Sequence, residues 1–240
     1  MAIKPAGTWG SEMAKATSKT SKQKLTRRQM AARTAAEFGD GWIVNLGIGM
    51  PTLCSDFVPD GRRVIFHSEN GVVGYGRNAS EEERDPHVVN AGVQPVLLEP
   101  FASILHHADA FAIVRSGLLD VAVLGAYEVS ANGDFANWKT AGRKGGGIGG
   151  AMDIAACAQR VFIIMEHTTR EGAPRLLRRC ALPITAPGVV RLVVTDLGVF
   201  QPNGDGFTLH EIAPGYTIED VQGVSAAALT GAAHVREVAL

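Results

Sequence analysis

An acidic side chain follows directly on an apolar stretch in the first third of the chain. Val64-Ile65-Phe66-His67 has the character of a buried strand, and Ser68-Glu69-Asn70-Gly71 comes immediately after it. The Asn-Gly pair favours a tight turn, which would leave Glu69 at the end of the strand. A solvated turn with an incidental acid explains the tetrapeptide more simply when it is taken alone. Glu69 is therefore a candidate for chemistry only if other motifs support it.

A second candidate segment is rich in glycine. Gly145-Gly146-Gly147-Ile148-Gly149-Gly150 is followed by the helix formers Ala151-Met152-Asp153. Glycine lets backbone N–H groups come close to a ligand, and a helix that begins after the run adds the positive end of its dipole. Such a segment suits a phosphate or a developing oxyanion. A flexible connector is the alternative interpretation.

The glycine segment also resembles a dinucleotide-binding fingerprint. Gly145, Gly147 and Gly150 match Gly-x-Gly-x-x-Gly, and a later apolar stretch ends at Glu166, near the position of a ribose-binding acid. That fingerprint must follow a strand directly, whereas residues 135–144 are polar, basic and loop-like. A nucleotide-binding oxidoreductase that uses the Gly145–Gly150 loop stays open as the alternative function.

Apolar strands and helices alternate along the chain and would position both segments. This alternation predicts an α/β fold with an open, largely parallel sheet flanked by helices. Ligands of such sheets bind beyond the carboxyl ends of the strands. Strands are expected at 42–46, 64–67, 96–98, 121–124, 161–165 and 192–195, and helices at 25–38, 52–57, 103–116, 151–159 and 174–180. Residues 201–206 are expected to form a hairpin or loop.

The composition bounds the domain organisation and the partners. Residues 1–24 are rich in Lys, Ser, Thr and Ala and are predicted to be a mobile tail, followed by a single α/β domain over residues 25–240. The 240 residues carry a net charge of −1, which gives no global field for nucleic acid or an anionic membrane. Cysteines without a CxxC pair favour a cytoplasmic location and no structural metal. These are Cys54, Cys157 and Cys180.

Other polar residues receive structural interpretations. His106 and His107 would lie mid-helix and point in different directions, which argues against a metal pair. Glu166-His167 is expected to be a hydrogen-bonded scaffold rather than an acid–base pair. Three arginines at helical spacing are expected on a solvated or subunit-facing surface. These are Arg175, Arg178 and Arg179.

Six motifs in a fixed order carry a family resemblance. Residues 25–222 resemble the B (beta) subunit of the family I CoA-transferases that act on 3-oxoacids and 3-oxoadipate. The motifs are Val44-Asn45-Leu46-Gly47-Ile48-Gly49-Met50-Pro51-Thr52, Ser68-Glu69-Asn70-Gly71, Gly133-Asp134-Phe135-Ala136-Asn137-Trp138, Gly149-Gly150-Ala151-Met152-Asp153, Met165-Glu166-His167-Thr168 and Leu182-Pro183-Ile184-Thr185.

This resemblance implies roles for particular residues. Glu69 aligns with the family's catalytic glutamate, which would carry CoA as a glutamyl-CoA thioester. Gly149 and Gly150 align with the segment that supplies an oxyanion N–H or contacts CoA, and Asn45 with a polar residue that faces the site. Ser68, Asn70 and Gly71 would support Glu69 as parts of its turn.

The resemblance also implies a substrate class, a partner and a fold of the CoA-transferase or NagB-RpiA-like type. CoA would pass from succinyl-CoA or acetyl-CoA to a 3-oxo acid such as acetoacetate or 3-oxoadipate, with no cofactor and with CoA as a substrate. An alpha subunit would complete a heterodimer or heterotetramer. Two positions depart from the family pattern, Val93 in place of a lysine and Ile148 in place of a methionine, and both bear on CoA contacts.

Overall fold

The fold is an open sheet with helices packed on both faces. A computed structural model describes residues 21–140 and 145–239. Within these ranges the strands are β1 (Ile43–Leu46), β2 (Ile65–His67), β3 (Val72–Asn78), β4 (Val96–Ile104), β5 (Val121–Leu124), β6 (Glu128–Ser130), β7 (Phe135–Ala136), β8 (Val161–Ile164), β9 (Leu176–Leu177), β10 (Val190–Thr195), β11 (Gly198–Pro202), β12 (Gly206–Ile212) and β13 (Ala228–Glu237). The helices are α1 (Arg27–Ala35), α2 (His107–Arg115), α3 (Ala151–Cys157) and α4 (Ile218–Gln222), with a 3-10 helix at Met50–Phe57.

Ten strands form one sheet in the order β13-β12-β11-β10-β8-β5-β1-β2-β3-β4. The five central strands, from β10 to β2, run parallel to their neighbours. Strands β3 and β4 on one side and β11 and β12 on the other add antiparallel pairs. Strands β7, β6 and β9 form a separate small sheet. The predicted fold class, a largely parallel α/β sheet flanked by helices, is confirmed.

The central strands are buried on both faces because successive side chains point to opposite sides of a sheet. All four residues of β5 and all four of β8 are buried, and alternate residues along them belong to two different apolar clusters. Met30 of α1 lies in one cluster, and Phe111 of α2 and Ile154 of α3 lie in the other. The helices therefore cover the two faces on which the strands' apolar side chains emerge.

Helix α1 begins at a capping box. The Thr26 hydroxyl accepts a hydrogen bond from the Gln29 N–H at 3.2 Å, and the Gln29 side chain accepts one from the Thr26 N–H at 2.8 Å. These bonds satisfy two of the donors that a helix start leaves free. Of the predicted tail at residues 1–24, only residues 21–24 lie in the described part of the chain. There Lys22 forms an ion pair with Asp220 and Lys24 with Asp196.

The helix predicted at 174–180 is wrong, because this segment contains strand β9. The N–H of Val129 donates to the Arg175 carbonyl and the N–H of Ala131 to that of Leu177, so the segment pairs with β6. Pairing with a distant strand has overridden local helical spacing. Consequently the three arginines do not share a helical face. Arg178 and Arg179 are exposed, but Arg175 is partly buried.

The start of the helix predicted at 103–116 is also wrong. Residues up to Ile104 continue β4, since Ile104 pairs with Val72 of β3, and α2 begins only at His107. His106 caps this helix instead of lying within it, because its Nδ1 accepts from the Ala108 N–H at 3.2 Å. The hairpin expected at 201–206 is confirmed by the antiparallel pairing of β11 with β12.

His167 is part of a hydrogen-bonded scaffold, as expected. Its ring is fully buried, with Nδ1 3.0 Å from the Thr195 hydroxyl and Nε2 2.8 Å from the Ser225 hydroxyl. The Ser225 hydroxyl donates to the Val221 carbonyl, so it accepts from Nε2–H, and Nδ1 is left as an acceptor. The ring is therefore neutral, and burial lowers the pKa of His167 to about 4.

This buried neutral histidine predicts a loss of stability in acid. The folded pKa lies below the ordinary value of 6.5, so the unfolded chain binds the proton first as the pH falls. The contribution of His167 to stability is complete above pH 6.5 and is lost towards pH 4, and the loss at pH 5 amounts to about 2 kcal/mol. Urea unfolding at pH 7.5 and 5.0 should show a smaller pH dependence in His167→Gln than in the wild-type chain. The exposed His87→Gln should keep the wild-type dependence; equal slopes in both variants would contradict the assignment.

Candidate active site

A cavity of about 410 Å³ opens at the carboxyl ends of the parallel strands. Strands β1, β5 and β8 contribute the residues at or just past their ends, and the glycine segment closes one side. This is the position at which open α/β sheets bind ligands. The lining residues are Asn45, Leu46, Gly47, Ile48, Met50, Glu69, Ala91, Leu124, Gly125, Ala126, Tyr127, Asn137, Gly147, Gly149, Gly150, Ala151, Ile154, Ile164, Met165 and Arg175.

Glu69 is held in the tight turn that ends β2. The N–H of Ser68 donates to the Val72 carbonyl at 2.9 Å, and the N–H of Gly71 donates to the Ser68 carbonyl at 3.0 Å. Gly71 has a φ of +108°, and a Cβ at this position would overlap the Leu105 carbonyl oxygen. Glycine is therefore required for the turn to approach the start of α2.

The three residues around Glu69 shape the turn and do not line the cavity. Ser68 and Gly71 are buried, and the exposed Asn70 donates through Nδ2 to the Val89 carbonyl at 2.8 Å. Glu69 itself is partly buried and lines the cavity. No described residue donates a hydrogen bond to its carboxylate. The turn thus directs the Glu69 side chain into the cavity, while the neighbouring residues make structural contacts.

His107 holds the backbone of this turn, a role that the sequence did not indicate. Its Nδ1–H donates to the Glu69 carbonyl oxygen at 2.7 Å, and its ring packs on Phe111 with 4.9 Å between centroids. Both residues lie on the first turn and a half of α2, which begins beside the turn. A histidine directly after a helix cap was the available signal, but its partner is 38 positions away in sequence.

Gly150 lies against the Glu69 carboxylate. A Cβ at this position would come closer to Glu69 Oε2 than real Cβ atoms come to any neighbour, and it would lie 2.6 Å from the Phe111 ring. The N–H groups of Gly149 and Gly150 have no acceptor among the described residues. Both glycines line the cavity, so these two donors are available to an oxygen of a ligand bound there.

Asn45 joins the cavity to a buried histidine. Its Nδ2 donates to His67 Nδ1 at 3.0 Å and to the His67 carbonyl at 3.2 Å, while His67 Nε2–H donates to the Ala110 carbonyl at 3.0 Å. These bonds require a neutral ring, and burial lowers the pKa of His67 accordingly. Asn45 Oδ1 is buried without a hydrogen-bond partner in the described residues. The amide is therefore fixed at one end and has a free acceptor at the other.

Of the seven residues expected at the site, the structure brings four to one cavity. Glu69, Gly149, Gly150 and Asn45 line it, and Arg175, which was expected on the surface, lines it as well. Asn137 also lines the cavity, but its amide is occupied, because Nδ2 donates to the Gly125 carbonyl and Oδ1 accepts from Thr185.

Large apolar side chains are exposed around the cavity mouth. Ile48, which lines the cavity, is 66% exposed, and Ile148, which lies between the lining residues Gly147 and Gly149, is 73% exposed. Val93, two residues after the lining Ala91, is 77% exposed and has a φ of +59°. Of the two positions that depart from the family pattern, Ile148 thus belongs to this rim, and Val93 lies two residues along the chain from a lining residue.

Neither metal ligands nor a membrane helix can be assigned within the described part of the chain. Residues 21–140 and 145–239 contain no group of three or more His, Cys, Asp or Glu side chains that could hold a metal ion. No helix in these ranges is long and apolar enough to cross a membrane. The glycine segment that resembled a dinucleotide fingerprint does not follow directly on any described strand, since β7 ends at Ala136.

Comparisons with known proteins agree with the geometry. The profile of the family described as "Coenzyme A transferase" matches residues 28–223. The chain is 42% identical over 205 residues to the B subunit of 3-oxoadipate CoA-transferase from Pseudomonas putida, covering 85% of this chain and 95% of the relative. It is 40% identical over 196 residues to the B subunit of succinyl-CoA:3-ketoacid coenzyme A transferase from Helicobacter pylori, covering 82% and 94%.

A crystal structure shares the fold. The acyl-CoA transferase YdiF of Escherichia coli O157:H7 superposes with a TM-score of 0.69 at 21% sequence identity, over 90% of this chain. The chain spans only 43% of that longer protein. The family profile covers most of the sequence, and the two B subunits are similar along nearly their whole length. The chain belongs to the coenzyme A transferase family, among its B subunits.

Proposed function

We propose that this chain carries the nucleophile of a CoA-transferase that moves CoA from an acyl-CoA to a 3-oxo acid through Glu69. The observation that carries the proposal is the contact between the Glu69 carboxylate and Gly150, whose N–H has no described acceptor, within one cavity. This contact supports roles for Glu69 as the nucleophile and for the Gly150 N–H as an oxyanion donor. The names of the two relatives favour 3-oxoadipate or another 3-oxo acid as acceptor and succinyl-CoA as donor. Acetoacetate as acceptor and acetyl-CoA as donor are the further candidates that the resemblance implies.

The proposed reaction consists of two acyl exchanges. The Glu69 carboxylate attacks the thioester carbonyl of the acyl-CoA, the C–S bond breaks, and a mixed anhydride and CoA thiolate result. The thiolate then attacks the glutamyl carbonyl of the anhydride and releases the first acid as a carboxylate. Glu69 is left as a thioester of CoA, and a second carboxylate runs the same steps in reverse. Charge and atoms balance without an added cofactor, and CoA serves as a substrate.

Each tetrahedral intermediate places negative charge on the former carbonyl oxygen. The N–H groups of Gly149 and Gly150 line the cavity beside Glu69 and can donate to this oxygen. One such preorganised donor contributes about 3 kcal/mol to a step. Asn45, fixed by His67, supplies a buried amide oxygen that can accept a hydrogen bond from CoA or from the acid.

The proposed assembly includes an alpha subunit. The cavity has an open mouth rimmed by exposed apolar side chains, and both anhydride and thioester are destroyed by water. A second subunit that covers this rim would exclude water and extend the wall for CoA. We expect a heterodimer that associates further into a heterotetramer, with a homodimer when the chain is alone. The proposed domain for this assembly is residues 25–240, and neither nucleic acid nor a membrane is an expected partner.

The proposed function is tested by a panel of acids. The chain is co-expressed with an alpha subunit and incubated with succinyl-CoA or acetyl-CoA, and new acyl-CoA is measured by mass spectrometry. Acetoacetate and 3-oxoadipate should accept CoA at ordinary enzymatic rates, about 1 to 1,000 per second. Reduction of a nicotinamide or flavin, or binding of NADH detected by fluorescence, with no new acyl-CoA, would support the oxidoreductase alternative instead.

Gly150→Ala is expected to lower turnover by about 100-fold while the chain stays folded. The added methyl meets Glu69 Oε2 and the Phe111 ring, so it displaces the carboxylate and the ligand oxygen next to the N–H. Turnover is compared with melting temperature for Gly150→Ala and for the matched Gly147→Ala, where a Cβ would meet nothing within 4 Å. If Gly147→Ala lost as much turnover, or if activity and melting temperature fell together, the glycine segment would be only a connector and not an oxyanion site.

A further inference from the structure

Arg175 lines the cavity and forms no ion pair with any residue that the structure describes. Its Nε is buried and has no hydrogen-bond partner within the described residues. Among the described lining residues, Arg175 is the only lysine or arginine, and Glu69 is the only acid. A partly buried guanidinium without a hydrogen-bonded carboxylate is costly unless a ligand pairs with it.

The fold places Arg175 at the other end of the cavity from Glu69. The N–H of Arg175 donates to the His167 carbonyl at 3.2 Å, so the residue lies beyond the carboxyl end of β8. Glu69 lies beyond the end of β2, and β1 and β5 separate the two strands. Three strand spacings make about 14 Å between β8 and β2, and both long side chains reach into the space between them.

This separation suits an acyl group with a carboxylate at each end. One end must reach Glu69 to exchange CoA, and the other then points towards Arg175. A guanidinium presents parallel N–H donors that bind a carboxylate in a bidentate manner. The nearest acid along the chain, Glu171, is exposed. Its pKa is lowered mainly by hydrogen bonds from its own N–H and the Thr169 hydroxyl and less by the charges of Arg170 and Arg175, and no ion pair among the described residues joins it to Arg175.

We propose that Arg175 binds the remote carboxylate of a dicarboxylic acyl group and so selects short dicarboxylic acids over monocarboxylic acids of the same length. The inference rests on the proposed function, because it assigns the acyl group of that reaction to this cavity. It makes Arg175 a specificity-determining residue and assigns it no part in bond making. The competing source of negative charge is a phosphate of CoA, which every acyl-CoA carries.

The kinetic test uses Arg175→Met, which replaces the aliphatic part of the side chain as far as Nε, removes the charged end and leaves no new unpaired polar group. For the complex with a co-expressed alpha subunit, kcat/KM is measured with succinyl-CoA and with butyryl-CoA at a fixed acceptor. Arg175→Met should lose at least about 30-fold with succinyl-CoA and less than about 3-fold with butyryl-CoA. Arg175→Lys keeps the charge without the fork and should lose an intermediate amount. Arg179→Met, an exposed neighbour, is the matched control and should change neither value.

A binding measurement separates this inference from the proposed function. The melting temperature of the purified chain is recorded with succinate, butyrate or inorganic phosphate. Succinate should stabilise the wild-type chain more than butyrate or phosphate does, and Arg175→Met should remove that difference. This binding measurement tests the role of Arg175 even if the wild-type complex transfers no CoA, an outcome that would refute the proposed function alone.

Equal losses with both acyl-CoAs, or stabilisation by phosphate that Arg175→Met abolishes, would overturn the inference in favour of a phosphate contact. An unchanged preference for succinate in both arms would also overturn it.

Discussion

Replacing Glu69 with glutamine is expected to lower CoA transfer by at least about 10⁴-fold, because removing a covalent nucleophile leaves only the other contributions of the site. The amide has nearly the shape of the carboxylate, so the contact with Gly150 and the turn that His107 holds should both persist. Melting temperatures of the variant and the wild-type chain should therefore agree. Glu69→Asp should fail nearly as badly, since a side chain shorter by one methylene retracts the carboxylate from its alignment.

The thioester itself can be trapped. The assembled enzyme is incubated with acyl-CoA and no acceptor, digested, and mapped by mass spectrometry. The peptide that contains Glu69 should gain the mass of CoA less one water, and it should lose this mass when a carboxylic acid is added. Glu81→Gln, an exposed acid whose ion pair with Arg84 lies at the surface, is the control and should be labelled at Glu69 as in the wild type. A CoA adduct on another residue, or full activity in Glu69→Gln, would refute the assignment.

The chain alone is expected to show no measurable CoA transfer, and activity should appear when an alpha subunit is co-expressed. The cavity is open, and its rim carries exposed Ile48 and Ile148. Water that reaches the site would hydrolyse the intermediates and weaken every electrostatic contact within it. A partner that covers the rim supplies the missing wall, so the expected change is from background to about 1 to 1,000 turnovers per second.

A rim variant makes this prediction specific. Ile148→Asp should reduce co-purification of the alpha subunit without changing the melting temperature of the isolated chain, because the side chain is 73% exposed. Leu118→Asp is the matched control: Leu118 is 54% exposed but precedes β5, at the opposite end of the strands from the cavity. Ordinary turnover by the purified chain alone, or equal loss of the partner in both variants, would show that the site is not shared.

Local sequence patterns were sufficient to predict the elements whose apolar residues form a clear run or repeat. Buried strands such as β5 and β8 are continuous apolar runs, and their carboxyl ends locate Glu69 and the glycine segment at one edge of the sheet. Periodicity failed where pairing across the chain decided the conformation. Residues 174–180 have helical spacing, yet hydrogen bonds to β6 make a strand there. Strands β3, β6 and β7 were not predicted, because two glycines interrupt β3, and β6 and β7 are only three and two residues long.

The chain sequence by itself determined the α/β class and the position of Glu69 at a strand end, because both follow from residues that are adjacent or regularly spaced. The order of six motifs was enough for the family resemblance. Only the tertiary structure decided which groups meet Glu69. His107, which bonds the Glu69 carbonyl, and Gly150, which lies against the carboxylate, are distant from Glu69 in sequence. They meet it because α2 and α3 pack on one face of the sheet. Arg175 moves from an expected surface helix into the cavity because β9 pairs with β6. Contacts of this kind depend on strand order and helix packing, for which spacing along the chain contains no signal.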